Sequence, residues 1–370
     1  MSESNAEQKT LQPNTDGPSG LLAMLTRQAI SLSERGLLPD AVLRAGIRSL
    51  TRERLHEIHA ADPAAAAADC DAFVEALRGA DVALLTDKAN EQHYEVPAEF
   101  FGGVLGPHRK YSSCWWPSGV DTLESAEAAS LAATCERAEL VDGQQILELG
   151  CGWGSLSLYM AAHYPQSRVT SVSNSHSQRA YIEAEALRRG LSNLRVITCD
   201  MNVFQIDERF DRVVSVEMFE HMQNWPTLFT RVANWLKPEG SFFMHVFCHK
   251  QLPYLFNSTD AQDWMGRYFF SGGMMPSYDL PLHFQTHLTL AERWSWNGQH
   301  YQKTANAWLN KMDDHKALIW PILVDTYGSE SASLWWMRWR VFFMACAELW
   351  GFRDGTEWWV GHYRFVPRLV

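Results

Sequence analysis

The densest group of reactive side chains in the sequence follows a short apolar run at residues 212–216. Glu217, Glu220 and His221 place three ionisable groups within five residues. If the segment is helical, Glu217 shares a face with the residues three and four positions further on. Neighbouring carboxylates push each other's pKa apart, and histidine carries protons near neutral pH. The group therefore suits binding of an ammonium ion and removal of its proton, although acids also occur at helix N-termini simply to match the dipole.

A second signal is the sequence ILELGCGWGSLSL at residues 146–158, in which glycines recur at 150, 152 and 154. The pattern predicts a strand, a tight turn and a helix. Glycine in such a turn lets the backbone approach a ligand closely. A dinucleotide site would place its third glycine one residue later. The spacing therefore favours S-adenosylmethionine (SAM) over NAD, although glycines are also common in turns that bind nothing.

Polar residues follow the next two predicted strands, at the edge where an open parallel sheet binds ligands. Asn174 and Gln178 are candidates for bonds to the ribose hydroxyls, or for caps of the helix that begins near Gln178. Asp200 is a candidate acceptor for the adenine amine and Met201 for contact with the ring, although an aspartate here also suits a helix start. With other residues of the same motifs, the predicted cofactor contacts are Tyr111, Ser112, Glu148, Gly150, Gly152, Gly154, Asn174, Gln178, Asp200, Met201 and Val216.

A further candidate lies at the end of the fifth predicted strand. Because side chains alternate along a strand, His245 and Phe247 lie on the same face. That face could line the ligand pocket. A histidine at a strand end is equally often structural. Metal binding is not expected here, because no convergent cysteines or carboxylates accompany the histidine.

Aromatic residues concentrate in two parts of the sequence. Residues 91–101 and 110–116 are aromatic and polar without a helical stripe, and we expect them to form a lid over the cofactor. Eight of the sixteen tryptophans lie between Trp308 and Trp359. Aromatic faces attract cations such as a sulfonium or an ammonium. These tryptophans therefore predict either part of an aromatic substrate cavity or an ordinary core of large side chains.

Strands and helices alternate from residue 145 onwards, after an N-terminal part with helical spacing and a break at Pro39. Such alternation predicts a parallel sheet with helices on both faces. The predicted strands are 146–149, 168–173, 194–198, 212–216, 241–247, 292–297 and 357–366. The predicted helices after residue 140 are 155–163, 178–189, 226–236, 306–327 and 331–349. We expect Asp62 to cap an N-terminal helix and residues 238–240 to form the turn into the fifth strand.

Composition limits the classes of partner. The 370 residues are 46% apolar and carry a formal net charge of −11. That charge disfavours nucleic acid and charge-driven adhesion to anionic lipid. No apolar run approaches the length of a membrane span, and the polar start lacks the layout of a secretion signal. The seven cysteines are scattered, which is typical of a cytoplasmic protein.

Five motifs in order resemble a known family: YSSCWW (111–116), ELGCGWG (148–154), VTSVSNSHSQ (169–178), VSVEMFEHM (214–222) and HVFCHK (245–250). They are similar to motifs of the cyclopropane-fatty-acid-synthase-like methyltransferases, and within these to the plant coclaurine-type N-methyltransferases. The resemblance runs from about His93 to the C-terminus and includes QDW (262–264), NAWL (306–309) and EWW (357–359).

The resemblance implies an α/β class I SAM-dependent methyltransferase fold. This Rossmann-like fold has a mostly parallel seven-stranded sheet, a helical N-terminal lid and C-terminal substrate-cap helices. We expect a disordered tail at 1–18 and a helical extension with the cofactor lid at 19–140. The methyltransferase domain is expected at 141–370, with a substrate-cap insertion at about 250–350.

The resemblance also implies roles for individual residues. By motif position, Glu217, Glu220 and His221 form the catalytic group of an N-methyltransferase. Cyclopropane synthases instead hold a bicarbonate as the base, and its ligands by position would be Ser113, Glu220, His245 and Tyr301. Ser113 replaces a cysteine of that pattern, and Glu217 replaces a glycine. A second carboxylate would repel bicarbonate, so both departures favour an amine, whereas Tyr301 fits the lipid enzyme. The candidate catalytic residues are Glu217, Glu220, His221, His245 and Tyr301.

Three functions follow as hypotheses. The first is transfer of the methyl group of SAM to a small cyclic or aromatic amine. The second is transfer of a methylene to a cis double bond of a lipid acyl chain. The third, a SAM-binding regulatory protein without catalysis, is disfavoured by the intact acidic group. Related enzymes often form dimers, so a homodimer is expected. We do not expect a bound metal, a nucleic-acid partner or a transmembrane segment.

Overall fold

The computed structural model describes residues 20–83, 96–256 and 264–368. The predictions for the tail at 1–18, for the first part of the lid at 91–95 and for residues 262–263 lie outside the described residues.

A mostly parallel seven-stranded sheet forms the centre of the molecule, as predicted. Its strands are β1 (Gln145–Leu149), β2 (Arg168–Ser173), β3 (Leu194–Thr198), β4 (Phe210–Val216), β5 (Leu236–His249), β8 (Leu288–Trp296) and β9 (Trp358–Pro367). The spatial order is β3-β2-β1-β4-β5-β9-β8. Strands β1 to β5 pair in parallel, whereas β9 pairs antiparallel with both β5 and β8. A separate antiparallel pair is formed by β6 (Tyr254–Leu255) and β7 (Met274–Met275).

The strand order determines where a ligand binds. Strand β1 lies between β2 and β4, so the chain first extends the sheet on one side and then on the other. The connections on the two sides of this reversal lie on opposite faces, which leaves a crevice outside the carboxyl ends of β1 and β4. The glycine turn follows β1, and the acidic group around Glu217 follows β4.

Twelve α-helices surround the sheet in the described part of the chain. They are α1 (Gly20–Glu34), α2 (Asp40–Glu57), α3 (Pro63–Arg78), α4 (Ala98–Val104), α5 (Leu123–Arg137), α6 (Ser155–His163), α7 (His176–Arg188), α8 (Trp225–Trp235), α9 (Trp264–Tyr268), α10 (Gln299–Asp314), α11 (Lys316–Tyr327) and α12 (Ala332–Trp350). Asp62 caps α3 as predicted, because its carboxylate accepts from the amides of Ala64 and Ala65.

Two details differ from the sequence predictions. The single helix expected at 306–327 is two helices, because the backbone leaves helical geometry at His315 (φ −98, ψ 21), whose ring bonds the carbonyl of Gly103. The turn expected at 238–240 lies inside β5. That strand already begins at Leu236, and its pairing with β4 shifts register between Leu236 and Ser241.

The tryptophan-rich C-terminal part is mostly core. Trp308, Trp336, Trp339, Trp350 and Trp358 belong to one buried hydrophobic cluster. Of these, Trp308 also faces the crevice. Most of these rings are therefore core, and a role of Trp308 in a substrate cavity stays a prediction. Helix α2 is tied to this part by ion pairs from its arginines 44 and 48 to Glu348 on α12, with N–O distances of 2.9 and 2.6 Å.

Candidate active site

A cavity of about 200 Å³ lies at the carboxyl ends of β1 and β4. We call its two parts the donor end, where the methyl donor is expected, and the acceptor end, where the methyl acceptor is expected. The donor end is lined by the glycine turn and by residues that end or follow β2 and β3: Gly150, Gly152, Ser173, Asn174, Gln178 and Met201. The acceptor end is lined by aromatic residues of β5 and of the segments beyond it: Phe247, Phe270, Tyr301, Trp308 and Phe342. Glu217 and His221 also line the cavity.

The glycine turn has the backbone conformation that its sequence predicts. Gly150, Gly152 and Gly154 have φ values of 75°, 52° and 77°. A β-carbon on Gly150 would lie 2.4 Å from Cγ of Met218, and one on Gly154 would lie 2.5 Å from Cγ1 of Ile182. Gly150 and Gly152 line the cavity, whereas Gly154 caps α6 and lets it pack closely on α7.

Glu148 anchors the end of β1 beneath this turn. Its carboxylate is buried and accepts hydrogen bonds from the hydroxyls of Ser157 and Ser171, the latter at 2.8 Å. Burial raises the pKa of Glu148 to about 7, and the two hydroxyls oppose that shift. The residue lines the cavity, as do Tyr111, Ser112 and Val216.

The residues after β2 and β3 divide between ligand edge and local structure. Ser175, not Gln178, caps α7, because its hydroxyl accepts from the amide of Gln178 at 3.4 Å. Asn174 and Gln178 line the cavity. Met201 lines it as well, whereas Asp200 accepts from the amide of Asn202 at 2.8 Å and is outside the lining. Of the predicted cofactor residues, only Asp200 and Gly154 lie outside it, and the adenine contact of Asp200 stays a prediction.

Two buried polar atoms at the donor end fit a polar ligand. Within the described part of the chain, neither Nε1 of Trp153 nor Oγ of Ser155 has a hydrogen-bond partner, although both residues line the cavity. Buried polar groups are rarely left unpaired. Ser155 is also the first residue of α6, and a helix N-terminus favours a carboxylate. This corner therefore fits the amino-acid part of SAM.

Glu217 is the most heavily bonded carboxylate of the acceptor end. It accepts from the backbone amide of Ser113 (2.9 Å), from Nε2 of His245 (3.0 Å) and from the hydroxyl of Tyr301 (2.8 Å). The segment does not have the helical form that would place Glu217 on one face with Glu220 and His221, because Glu217 itself has a φ of 48°. This left-handed residue turns the chain after β4 and directs the carboxylate into the cavity, ahead of a single 3₁₀ turn at Phe219–His221.

Glu220 and His221 have different surroundings. Oε1 of Glu220 accepts from the amide of Phe247 at 2.7 Å, and its Oε2 has no partner among the described residues. Burial, followed by the charge of Glu217, raises the pKa of Glu220 well above its usual range. Glu220 is outside the cavity lining. The ring of His221 lines the cavity and stacks on Phe270 at 4.3 Å, and burial lowers its pKa to about 4.

Lys110 is a functional candidate that the sequence predictions missed. Its ammonium group is buried beside the cavity and donates to Oγ of Ser112 and to the carbonyl of Ser113, both at 2.6 Å. Burial lowers its pKa, while Cys114, Glu217 and other acidic neighbours oppose the change. The sequence did offer a signal for it, because Lys110 is the one lysine of the aromatic segment at residues 110–116. His362, which contacts His245, and Arg137, which contacts His362, left no comparable signal in the sequence.

Comparison with known proteins identifies the family. A family model described as mycolic acid cyclopropane synthetase matches residues 85–356. The chain belongs to the mycolic acid cyclopropane synthetase family. (S)-Coclaurine N-methyltransferase of Thalictrum flavum subsp. glaucum is 34% identical to this family member over 339 residues, which are 90% of this chain and 94% of the relative. Cyclopropane-fatty-acyl-phospholipid synthase of Escherichia coli (strain K12) is 31% identical over 280 residues, or 75% of this chain and 68% of the relative.

A solved structure agrees with this assignment. The crystal structure of coclaurine N-methyltransferase bound to N-methylheliamine and S-adenosylhomocysteine matches with a TM-score of 0.88 at 33% identity. The match covers 92% of this chain and 99% of that one. This member of the cyclopropane synthetase family is therefore a SAM-dependent methyltransferase with the class I fold, which confirms the resemblance seen in the motifs.

The described residues include no helix of the length and apolar character needed to cross a membrane. Nor do they include a group of three or more His, Cys, Asp or Glu side chains arranged to hold a metal ion.

Proposed function

We propose that the protein transfers the methyl group of SAM to the nitrogen of a small cyclic or aromatic amine. One observation carries this proposal. The resemblance assigns Ser113, His245 and Tyr301 to a bound bicarbonate in the lipid-modifying relatives. Here the amide of Ser113 and the side chains of His245 and Tyr301 donate to the carboxylate of Glu217 instead. A carboxylate of the protein thus uses the donors that a bicarbonate would need.

The acidic pair provides a single negative charge for a cationic substrate. Two nearby buried carboxylates do not both ionise readily. Burial raises the pKa of Glu217, but the ammonium of Lys110 and its hydrogen-bond donors oppose that rise. Glu217 has three such donors, whereas Glu220 has one. We therefore assign the charge to Glu217 and the proton to Glu220. A carboxylate in this position attracts an ammonium towards the aromatic side chains that line the acceptor end, where cation–π contacts add about 0.5–2 kcal/mol each.

His221 is the proposed proton acceptor. Burial lowers its pKa to about 4, so the imidazole is neutral at physiological pH, the form that can accept the proton of the ammonium. The ring is fixed by stacking on Phe270. SAM, held by the donor end, supplies an electrophilic methyl group when bound. Glu217 and the aromatic walls orient the amine nitrogen towards it, and such alignment contributes more than proton removal when the reacting atoms meet in line.

The proposal is tested by the fate of a labelled methyl group. The full-length protein is incubated with methyl-labelled SAM and, in separate reactions, with cyclic secondary amines or with vesicles of unsaturated phospholipid, each with and without added bicarbonate. We expect label in the amines at a rate that bicarbonate does not change. Label in the phospholipid, dependent on bicarbonate, would support cyclopropane synthesis and reject the amine reaction. The presence of Glu220, His245 and Tyr301 is the reason to include that second arm.

The same proposal includes the roles of the helical segments, the cellular location and the oligomeric state. Residues 19–140 act as extension and lid, and residues 250–350 as substrate cap, supported by the ion pairs between α2 and α12. A cytoplasmic location is supported by the seven unpaired cysteines; recovery of the native protein outside the cytoplasm would contradict it. The homodimer stays a prediction, and light scattering of the purified protein decides it.

A further inference from the structure

Behind Glu217, three more side chains continue a row of hydrogen bonds away from the cavity. Nε2 of His245 contacts Oε1 of Glu217 at 3.0 Å. Nδ1 of His245 contacts Nε2 of His362 at 2.8 Å. Nδ1 of His362 contacts Nη1 of Arg137 at 2.7 Å. We call Arg137, His362, His245 and Glu217 the histidine network. Both imidazoles are fully buried.

The register of the sheet builds this network. In the antiparallel pair of β5 and β9, His245 lies directly opposite His362. Glu217 follows the end of β4, where its amide donates to the carbonyl of His245 at 2.9 Å. Arg137 is the last residue of α5, and its guanidinium group lies over the rings of Trp294 and Trp296 on β8, at 5.1 and 5.3 Å. Three strands and one helix therefore contribute to a single line of contacts.

The network can run in only one direction. An arginine guanidinium donates and never accepts, so Nδ1 of His362 must accept. A neutral imidazole that accepts at one nitrogen carries its proton on the other, so Nε2 of His362 donates to Nδ1 of His245. By the same rule, Nε2 of His245 carries a proton and donates to Glu217. The position of Arg137 thus determines both tautomers.

The electrostatic surroundings keep both rings neutral, which the assignment of the two tautomers requires. Burial lowers the pKa of His245 well below its usual range, and the charges of Lys110 and Arg137 act in the same direction. Burial likewise lowers the pKa of His362, aided by His245, Arg137 and Lys110. A protonated His362 would have to face the guanidinium with a donor, at a distance of 2.7 Å.

We propose that Arg137 and His362 are positioning residues, which hold His245 in the tautomer that donates to Glu217 and thereby fix the orientation of that carboxylate. The link to amine methylation rests on the proposed function, whereas the assignment of the tautomers is independent of it. The network positions the carboxylate and does not carry its proton away, because Arg137 at its outer end cannot accept one.

Three substitutions of His362 separate the possible roles. In His362→Gln, the side-chain oxygen can accept from Arg137 and the amide nitrogen can donate to His245, so the direction is kept. His362→Leu keeps the bulk and removes both bonds. His362→Glu offers acceptors only, so it draws the proton of His245 to Nδ1 and leaves Nε2 without a proton towards Glu217. Arg137→Met is a fourth variant, which releases the tautomer of His362 without changing the sheet.

The tautomers are read by ¹⁵N NMR of histidine-labelled protein, with signals assigned by the single variants. We expect both His245 and His362 of the wild type to carry their protons on Nε2 at neutral pH. We expect His362→Leu and Arg137→Met to lower kcat for the amine by about 10- to 100-fold, the loss typical of a misplaced catalytic group. The Kd for SAM should be unchanged, and His362→Gln should retain most of the rate.

His249→Gln is the matched control. His249 also lies on β5 and is fully buried, but its Nδ1 accepts from the amide of Leu252 and it is outside the network. We expect this variant to lose stability without changing the tautomer of His245 or kcat. An equal loss of kcat in His249→Gln would show that burial alone explains the effect and would overturn the proposal.

The outcomes distinguish this inference from the proposed function. A wild-type His245 protonated on Nδ1, or a His362→Leu variant with the wild-type tautomer and rate, overturns the network. Wild-type tautomers as expected, together with no methylation of any amine, would support the network and reject the amine reaction.

Discussion

The two ends of the cavity are assembled in different ways. At the donor end, bonded residues are close in sequence: Ser173 and Gln178 are five positions apart, and Glu148 and Ser171 are 23 apart. At the acceptor end, the partners of Glu217 are 28, 84 and 104 positions away. The donor end is thus built from one local β/α unit and its neighbour, whereas the acceptor end depends on the register of β4 and β5 and on the packing of α10.

This difference indicates where the family changes its reaction. A relative named as a coclaurine N-methyltransferase and one named as a phospholipid cyclopropane synthase are similar to 90% and 75% of this chain, respectively. The glycines and strand ends expected to bind SAM can stay unchanged among relatives. Single side chains at the acceptor end can then determine which charge the substrate meets. In the proposed function Glu217 is such a side chain, since it provides the negative charge and accepts the hydrogen bonds that a bicarbonate would need.

Replacing that charge should have the largest effect on the acceptor end. We expect Glu217→Gln to lower kcat for the amine by about 10²- to 10⁴-fold, the range typical of loss of a catalytic acid–base group. The amide nitrogen replaces one carboxylate oxygen, so it places a donor opposite either the hydroxyl of Tyr301 or Nε2 of His245. The Kd for SAM, measured by titration calorimetry, should change little because the donor end is intact.

Glu220→Gln is the control for this variant. If Glu220 is protonated, as assigned above, glutamine resembles it and still accepts from the amide of Phe247. Its effect on kcat should therefore be smaller than that of Glu217→Gln. The reverse order of effects would move the negative charge to Glu220 and contradict the assignment.

The donor end is tested by a pair of glycines. In Gly150→Ala the new β-carbon meets Met218 at 2.4 Å, whereas in Gly152→Ala it meets no atom within 4 Å. Both residues have positive φ, so the backbone cost is shared. We expect Gly150→Ala to weaken SAM binding roughly 10- to 100-fold, corresponding to about 1–3 kcal/mol of strain. Gly152→Ala has the same backbone cost without a clash inside the protein, so it should lose less stability than Gly150→Ala in urea unfolding without SAM. Equal stabilities of the two variants would show that the side chain of Met218 moves aside without cost.

The same contrast explains what could be predicted from the sequence. Five strands of the sheet and the glycine turn follow from local periodicity and spacing, because each is encoded within about ten consecutive residues. The left-handed conformation of Glu217 was missed, because glycine and asparagine are the usual signals for positive φ and neither is present. A helix starting at Glu217 would have given the carboxylate a different direction.

The role of His362 was missed for a different reason. Its meeting with His245 depends on the pairing register of β5 and β9, and a slip of one residue would turn either side chain to the opposite face. These strands are more than a hundred residues apart in sequence, with the cap between them. The residue types alone therefore did not reveal the network, although His245 itself was identified from its place at a strand end.

Glu148 should make stability depend on pH at the donor end. Its pKa of about 7 in the folded state exceeds the ordinary value of 4.5, so the folded protein binds the proton more tightly. This contribution is complete below about pH 4.5 and is lost as pH rises through 7. We expect urea unfolding of the protein without SAM to show about 1–3 kcal/mol less stability at pH 8 than at pH 5 from this group. Glu148→Gln should remove that part of the difference, and an unchanged difference would assign it to other groups, such as the buried Glu127.

Tyr301→Phe is expected to have the smallest effect on the acceptor end. The ring can remain stacked on Trp350, at 4.7 Å and 7°, while only the bond to Oε2 of Glu217 is lost. Two donors to Glu217 remain, so we expect kcat to fall by about tenfold, in line with one hydrogen bond to a charged group. Loss of a donor that favours the carboxylate raises the pKa of Glu217, so the acidic limb of the pH–rate profile should move to higher pH.

Added bicarbonate makes this variant decisive for the comparison between the two reactions. If Glu217 fills the anion position, bicarbonate has no donors left to bind, and it should neither stimulate the wild type nor restore Tyr301→Phe. If the tyrosine instead served a bound bicarbonate, the loss in Tyr301→Phe would shrink as bicarbonate rises, because mass action compensates for weaker binding. A rate that responds to bicarbonate in the wild type and in this variant would thus remove the argument that Glu217 takes the place of the anion.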